Sequence, residues 1–338
     1  MDIGKLPHDL LAQLISKAKL DPRVVVGPRV GEDAAVIEFG STLLVAKTDP
    51  ITFATDRIGW YAVNINANDV AVMGAEPRWF LATILLPGTA APRDAAAIFD
   101  QILSACEALG ISLIGGHTEI TSGLDRPIVV GCMLGEVERG SLVTTDGAQV
   151  GDLIVLTGGI AIEGTALLAR EAADALRSAG VAEELIGLSR NYLIEPGITV
   201  VHAARIARGA GQIHSMHDPT EGGLATGLLE LAMAAGVGLE VEWESIPILA
   251  ETEALCRALG LDPLGLIASG SLLLTLDPSD APAVVASLEA AGIRAVVIGR
   301  IVLAEQGLRL RRGGESHDLP RFARDEVARF LGAMSNEQ

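Results

Sequence analysis

Lysine is almost missing from this 338-residue chain. Lys5, Lys17, Lys19 and Lys47 are the whole supply, and beyond the N-terminal stretch Lys47 stands alone. Acidic residues outnumber Lys and Arg by 43 to 25, for a net charge of −18. Such a surface repels nucleic acid and anionic membranes, so neither is an expected partner. It also repels phosphate-rich anions unless cations or backbone N–H groups offset the charge locally. Aromatic residues are 3% of the chain, so core volume must come from Ala, Val, Leu and Ile. Cys106, Cys132 and Cys256 are odd in number, far apart and set in apolar contexts. That pattern excludes a disulfide framework or a zinc site and reads as reduced thiols of a cytoplasmic protein. No apolar run reaches the roughly 18 residues of a membrane span, and the N-terminus has no signal-peptide h-region, so a soluble, cytoplasmic protein is expected. Neither GxxxxGK(S/T) nor a GxGxxG opening a βαβ unit occurs, which removes the P-loop and Rossmann readings.

The length exceeds one ordinary core, so two domains are expected. The polar, glycine-bearing stretch 144–151 is the natural boundary, giving domains 1–148 and 149–338. Strands and helices alternate, but adjacent strands in the first half predict an α/β fold of α+β character with mixed sheets.

The stretch 47–77, KTDPITFATDRIGWYAVNINANDVAVMGAEP, organises the first half. A strand over 43–46 leads into Thr48-Asp49, a turn at Pro50 follows, and a helix is expected over 57–73, closed by Gly74. Asn64, Asn66, Asn68 and Asp69 sit inside that apolar helix. Asn and Asp weaken helix interiors because their side chains compete for backbone hydrogen bonds. Left unpaired when buried, each costs about 1–3 kcal/mol. Either they face something polar, or they cap and pair within the core. Asp49, at a strand end, can converge with Asp69 on a divalent cation. Lys47 beside them either reaches that site or snorkels to solvent.

Four acidic or glycine-rich stations recur: Gly31-Glu32-Asp33, Thr48-Asp49, Asn68-Asp69 and Gly115-Gly116-His117-Thr118-Glu119. Carboxylates gathered without a Cys or His cluster suit Mg²⁺, which takes oxygen ligands and commonly phosphate. Gly115-Gly116 and Gly158-Gly159 are either phosphate-holding turns or simply tight turns. In the second half, Asp218-Pro219-Thr220-Glu221 reads as a helix start, with Asp218 as N-cap and Glu221 as capping-box partner. Gly222-Gly223 in that first turn implies close packing by a strand or a ligand. His214 and His217 fall on opposite strand faces, which argues against a shared metal. His217 and His117 are candidates for general acid/base work.

Together the stations resemble the AIR synthase (PurM-like) superfamily. Its members include aminoimidazole ribonucleotide synthetase, thiamine-monophosphate kinase, selenophosphate synthetase and the hydrogenase maturation factor HypE. The matching pieces are GEDAAVI, KTDPIT, NINANDVAVMGAEP, GGHTEIT, GDLIVLTGG and HDPTEGGLATGLLELA, spread from Gly31 to about Gly299. The NDxAxMGAxP and DPTEGG pieces look most like HypE. The resemblance implies a PurM-like two-domain fold. Its N-terminal domain would pair in a homodimer and its C-terminal α/β domain would carry an acceptor cleft. It implies Mg-ATP bound without a P-loop, used to phosphorylate an oxygen or amide acceptor on a small molecule or carrier. By residue, it implies Asp33, Asp49 and Asp69 as Mg²⁺–phosphate ligands and Asn68 as their orienting neighbour. Gly31 and Thr48 fall in the same matched pieces. Gly115, Gly116 and Thr118 would form part of the nucleotide loop, and Asp218 the acceptor wall. Lys47, His117 and His217 complete the catalytic candidates. A maturation-pathway protein is an implied partner.

Departures limit the naming of an activity. HypE acts through a cysteine at its extreme C-terminus, whereas this chain ends AMSNEQ and its last cysteine is Cys256. The glycine-rich loop VVVGPRVG carries neither the cysteine nor the lysine of selenophosphate synthetase. His117 follows the glycine pair where thiamine-monophosphate kinase and HypE have an acidic residue. Three readings stay open: a HypE-like ATP-dependent enzyme, a kinase like thiamine-monophosphate kinase, and a dimeric ATP-binding assembly factor without acceptor chemistry.

Overall fold

The structure, a computed structural model, describes residues 8–52, 54 and 56–336. Lys5, Phe53, Thr55 and the terminal 337–338 lie outside the described residues. The chain forms two compact units. One comprises Lys19–Pro28 and Asp33–Leu142, the other Met1–Ala18, Arg29–Glu32 and Val143–Gln338. Helix α1 (His8–Ile15) opens the described chain and belongs to the second of these.

The first unit holds β1 (Val24–Val26), β2 (Ala35–Phe39), β3 (Thr42–Ile51), α2 (Ile58–Val72), β4 (Glu76–Pro87), α3 (Pro92–Leu109), β5 (Ser112–Thr121) and β6 (Ile128–Val137). Its strands form one sheet in the order β1-β2-β3-β6-β4-β5. The pairs are antiparallel except β4 with β5, which run parallel, so the sheet is mixed. Tyr61, Val63, Ala67 and Val70 of α2 are fully buried, as are Val36, Val45, Phe80, Ile84 and Met133 of the strands. Burying each such large side chain contributes about 1.5–3 kcal/mol. Helix α2 is buried on nearly every side, so its apolar residues need no single face. It ends where Gly74 takes a left-handed turn at φ +75°.

Two glycines of β6 bring α2 onto the sheet. A Cβ at Gly131 would stand 2.3 Å from Asn66 Nδ2, and one at Gly135 would stand 2.4 Å from Val70 Cγ1. Helix α3 is amphipathic, with Ile98, Ile102, Ala105 and Cys106 inward at helical spacing.

The second unit continues with β7 (Leu153–Thr157), α4 (Ile162–Glu171), α5 (Ala173–Ser178), α6 (Glu183–Asn191), α7 (Val201–Ala210), β8 (Ser215–His217) and α8 (Gly223–Ala235). It ends with β9 (Gly238–Glu242), α9 (Ala250–Leu259), β10 (Leu273–Leu276), α10 (Ala281–Ala290), β11 (Ala295–Val302), β12 (Leu308–Arg312), β13 (Glu315–Asp318) and α11 (Glu326–Asn336). The sheet order is β13-β12-β9-β11-β7-β10-β8, again mixed, because β12 runs parallel to β9. All four residues of β10 are buried, so this strand reads as a continuous apolar run without alternation. Cys106 and Cys256 are buried free thiols, and burial pushes them up to about 11 and about 12, so they stay protonated.

Three expectations are corrected. The turn at Pro50 is strand: β3 runs on to Ile51, paired with β6 throughout. Past Ala46 it has left β2 behind, and a proline lacking an N–H is tolerated on such a one-sided stretch. Gly115–Glu119 do not form a loop after a short strand but lie within β5, which pairs with β4 through Thr121. Helix α8 starts at Gly223, not at Pro219. Gly222 and Gly223 take φ of +80° and +64°, which breaks the helix between the capping-box residues and its body.

Candidate metal and phosphate site

In the first unit, strand β3 sends Lys47 and Asp49 to one side, two residues apart. The end of α2 supplies Asp69, and Asp33 stands just ahead of β2. Lys47 Nζ lies 3.2 Å from Asp69 Oδ1 and 3.7 Å from Asp49 Oδ2. Asp33 and Asp69 each offer a carboxylate oxygen, and these lie within 4.8 Å of each other. Asp69 is 4% exposed, and its Oδ2 is buried without a hydrogen bond. Burial pushes the Asp69 carboxyl up to about 7; Lys47 opposes the rise, and the Asp49 and Asp33 carboxylates add to it. A buried carboxylate oxygen with no hydrogen bond, beside two more carboxylates, fits a hard divalent cation with oxygen ligands. Asp33, Asp49 and Asp69 would hold it.

The asparagines divide between the two roles expected of them. Asn64 Nδ2 donates back to Trp60 O at 2.9 Å, satisfying the helix itself. Asn66 Nδ2 donates to Ala62 O at 2.9 Å and reaches the Asp49 carbonyl at 3.3 Å. It does so over Gly131, the residue opposite Asp49 in β6. Sequence reasoning named Asn66 among the polar residues of this helix without a site role, and it passed over Gly131. The available signal was a glycine in the middle of an apolar strand, which marks a close approach. Asn68 is fully buried beside Asp69 in sequence. Thr48 spends its hydroxyl on the sheet, donating to Gly131 O at 2.8 Å.

Gly115, Gly116, His117, Thr118 and Glu119 are exposed along β5, the sheet's edge strand. His117 Nε2 pairs with Glu119 Oε2 at 2.9 Å, and both side chains are about half or more in solvent. Gly116 serves the sheet directly, because a Cβ there would stand 1.9 Å from the Ala82 carbonyl oxygen.

The second unit carries the other candidates. His217 and Asp218 are buried at the end of β8, and His217 Nε2 lies 3.2 Å from Glu230 Oε2 of α8. His214 instead pairs through Nδ1 with Asp152 Oδ1 at 2.9 Å. The two histidines thus have separate carboxylate partners. Gly222 and Gly223 meet protein: a Cβ at Gly223 would stand 2.4 Å from Leu264 O, and one at Gly222 would strike Thr226 Oγ1. Gly31 belongs to this unit as well, packed against the Glu230 carbonyl at φ +87°. Gly158 turns at φ +68°, and Gly159 packs against Leu249, which accounts for that pair as a tight turn. Asp325 escaped sequence reasoning. It accepts from the Gly222 N–H at 2.7 Å, and nothing local marks it.

Residues 31–137 match the family model described as AIR synthase related protein, N-terminal domain, and residues 149–311 match the corresponding C-terminal domain. The chain belongs to the AIR synthase related family. It is 31% identical to a putative hydrogenase expression/formation protein of Methanocaldococcus jannaschii, covering 82% of each chain. It is 28% identical to the carbamoyl dehydratase HypE of Rhizobium leguminosarum bv. viciae, over 81% of this chain and 78% of that one. Among solved structures, HypE in complex with ATP superposes with a TM-score of 0.67 at 23% identity, covering 94% of this chain and 91% of that chain. ThiL complexed with AMPPCP and TMP gives 0.70 at 21%, covering 93% and 94%. The HypE–HypF complex gives 0.72 at 22%, covering 87% and 94%. At these identities the structures establish the two-domain fold of the family, with HypE-like proteins prominent among its relatives.

Proposed function

We propose that this AIR synthase related protein is a HypE-like, Mg-ATP-dependent enzyme that phosphorylates an oxygen or amide acceptor on a small molecule or carrier. The observation that carries this reading is Asp69, buried with Asp33 and Asp49 around it and one oxygen without a hydrogen bond. Phosphoryl transfer needs positioning and charge neutralisation more than covalent chemistry. A bound Mg²⁺ supplies most of that neutralisation. In a chain of net charge −18, the protein's own contribution at this site is Lys47. The relatives support ATP as the donor, since solved structures of HypE and ThiL hold ATP and an ATP analogue.

Asp218 and His217, buried where β8 leads to α8, are the proposed acceptor-side residues. His217 already has a carboxylate neighbour in Glu230, which would hold its ring in place as a proton carrier. Exposed β5 supports the proposed homodimer, because among the described residues it is an edge strand, with Ile114 and Ile120 in solvent. A maturation-pathway protein is a proposed partner, by analogy with the HypE–HypF complex.

The test is turnover of γ-labelled ATP with Mg²⁺, with and without a metabolite pool. Label appearing on a new species supports the enzyme and identifies its acceptor. Tight Mg-ATP binding with no ADP formed under any condition replaces this reading with the assembly-factor one.

A further inference from the structure

We infer that Lys47 stands in for a second divalent cation, so that Asp33, Asp49 and Asp69 bind one metal ion and one ammonium. The inference rests on the metal–nucleotide reading above and concerns how the charge in that site is balanced.

The two oxygens of Asp69 face different company. Oδ1 takes the Lys47 ammonium at 3.2 Å, and the same ammonium lies 3.7 Å from Asp49 Oδ2. Oδ2 is buried without a hydrogen bond, and Asp33 brings a carboxylate oxygen within 4.8 Å of Asp69. Lys47 therefore takes up Asp69 Oδ1 and reaches Asp49, and Asp69 Oδ2, which has no hydrogen bond, is left for the metal. Its side chain is only 22% exposed, so it does not behave as a strand-end lysine snorkelling to solvent. No other lysine occurs after Lys19, so Lys47 is the one ammonium the chain beyond its N-terminal stretch can bring to these carboxylates.

Charge balance gives the arrangement its consequence. Asp33, Asp49 and Asp69 carry three negative charges once ionised. One ammonium and one divalent ion cancel these three charges before the triphosphate enters. Without the ammonium, one divalent ion leaves the site negative, and a triphosphate would enter only with a second metal ion. An ammonium on a flexible stem can also turn toward phosphate as a point charge, as phosphate-binding lysines do.

The test counts Mn²⁺ bound per protomer by electron paramagnetic resonance, using the full chain saturated with a non-hydrolysable ATP analogue. Wild type and Lys47→Arg are expected to bind one Mn²⁺, and Lys47→Met two, the second broadening the signal of the first. Two ions in wild type, or one in Lys47→Met, overturn the inference while leaving the metal–nucleotide reading intact. No Mn²⁺ in wild type overturns that reading and this inference with it. The wild-type count decides between one ion and two even where Lys47→Met does not fold.

Discussion

Asp325 Oδ2 accepts a hydrogen bond from the Gly222 amide at 2.7 Å, although 103 positions separate them. Its other oxygen accepts from Val327 N at 2.8 Å. One buried carboxyl thus ties the start of α11 to the N-cap of α8, close in sequence to Asp218. Burial pushes Asp325 up to about 7 from 3.8, against the two backbone hydrogen bonds. Between those values the folded state keeps a proton that the unfolded chain has released. The contribution of this group to stability is therefore fully present below about pH 4 and is lost as pH rises to about 7. Asp325→Asn presents an N–H₂ to one of the two backbone donors, so it should destabilise the fold by about 1–3 kcal/mol at pH 5. It should also flatten the fall in melting temperature between pH 4 and 7. Thermal melts across that range check both.

Asp69→Asn separates stability from function. The wild-type carboxylate is held in an unfavourable setting, with its pKa raised by burial and by Asp49 and Asp33. Removing its charge should leave the melting temperature at pH 8 unchanged or raised, since functional sites commonly hold such strain. Mg²⁺-dependent nucleotide affinity should fall by a hundredfold or more, read by calorimetric titration. Affinity that survives the substitution would falsify the assignment of Asp69 to the site.

Gly116→Ala tests why the glycine pair is there. A Cβ at Gly116 meets backbone, the Ala82 carbonyl at 1.9 Å, so no side-chain rotation relieves the clash. Overpacking of this kind costs about 1–3 kcal/mol or more. Gly187→Ala on α6, with nothing within 4 Å, should be neutral or stabilise by about 0.4–1 kcal/mol. Denaturant melts of the two variants should therefore move apart. Equal midpoints would mean that β5 can leave β4 at no cost.

Helix α2 was legible to within a residue at either end, because Gly74 stops it and its apolar run is long. Lys47, Asp49 and Asp69 were legible as neighbours, since alternate residues of one strand share a side and the helix after it stays close, although β3 runs on past them to Ile51. Asp325 and Gly131 were not, because what makes them matter is a contact many positions away. The glycine pair of β5 misled for a related reason. Glycines signal turns locally, whereas here Gly116 allows β5 to lie against the Ala82 backbone of β4. At Asp218 a complete set of helix-start signals yielded to the close approach of the Leu264–Leu266 backbone, which leaves no room for a Cβ at Gly223. Helix α6 escaped notice because its sequence buries little more than Ile186 and Ser189.

The proposed dimer makes the last prediction. Strand β5 is an edge with Ile114 52% and Ile120 66% exposed, an arrangement that natural sheets usually cover or guard with charge. If β5 pairs across a homodimer, the two isoleucines are buried on assembly. Ile120→Lys places an ammonium at that edge and should convert the dimer to a monomer. Light scattering should then show the mass falling from about twice the chain mass of 35.1 kDa to that mass itself. The melting temperature of the monomer should stay close to that of wild type at low protein concentration, because the substituted side chain already lies in solvent within one chain. A variant that remains dimeric would move the interface away from β5, and a monomeric wild type would remove the dimer altogether.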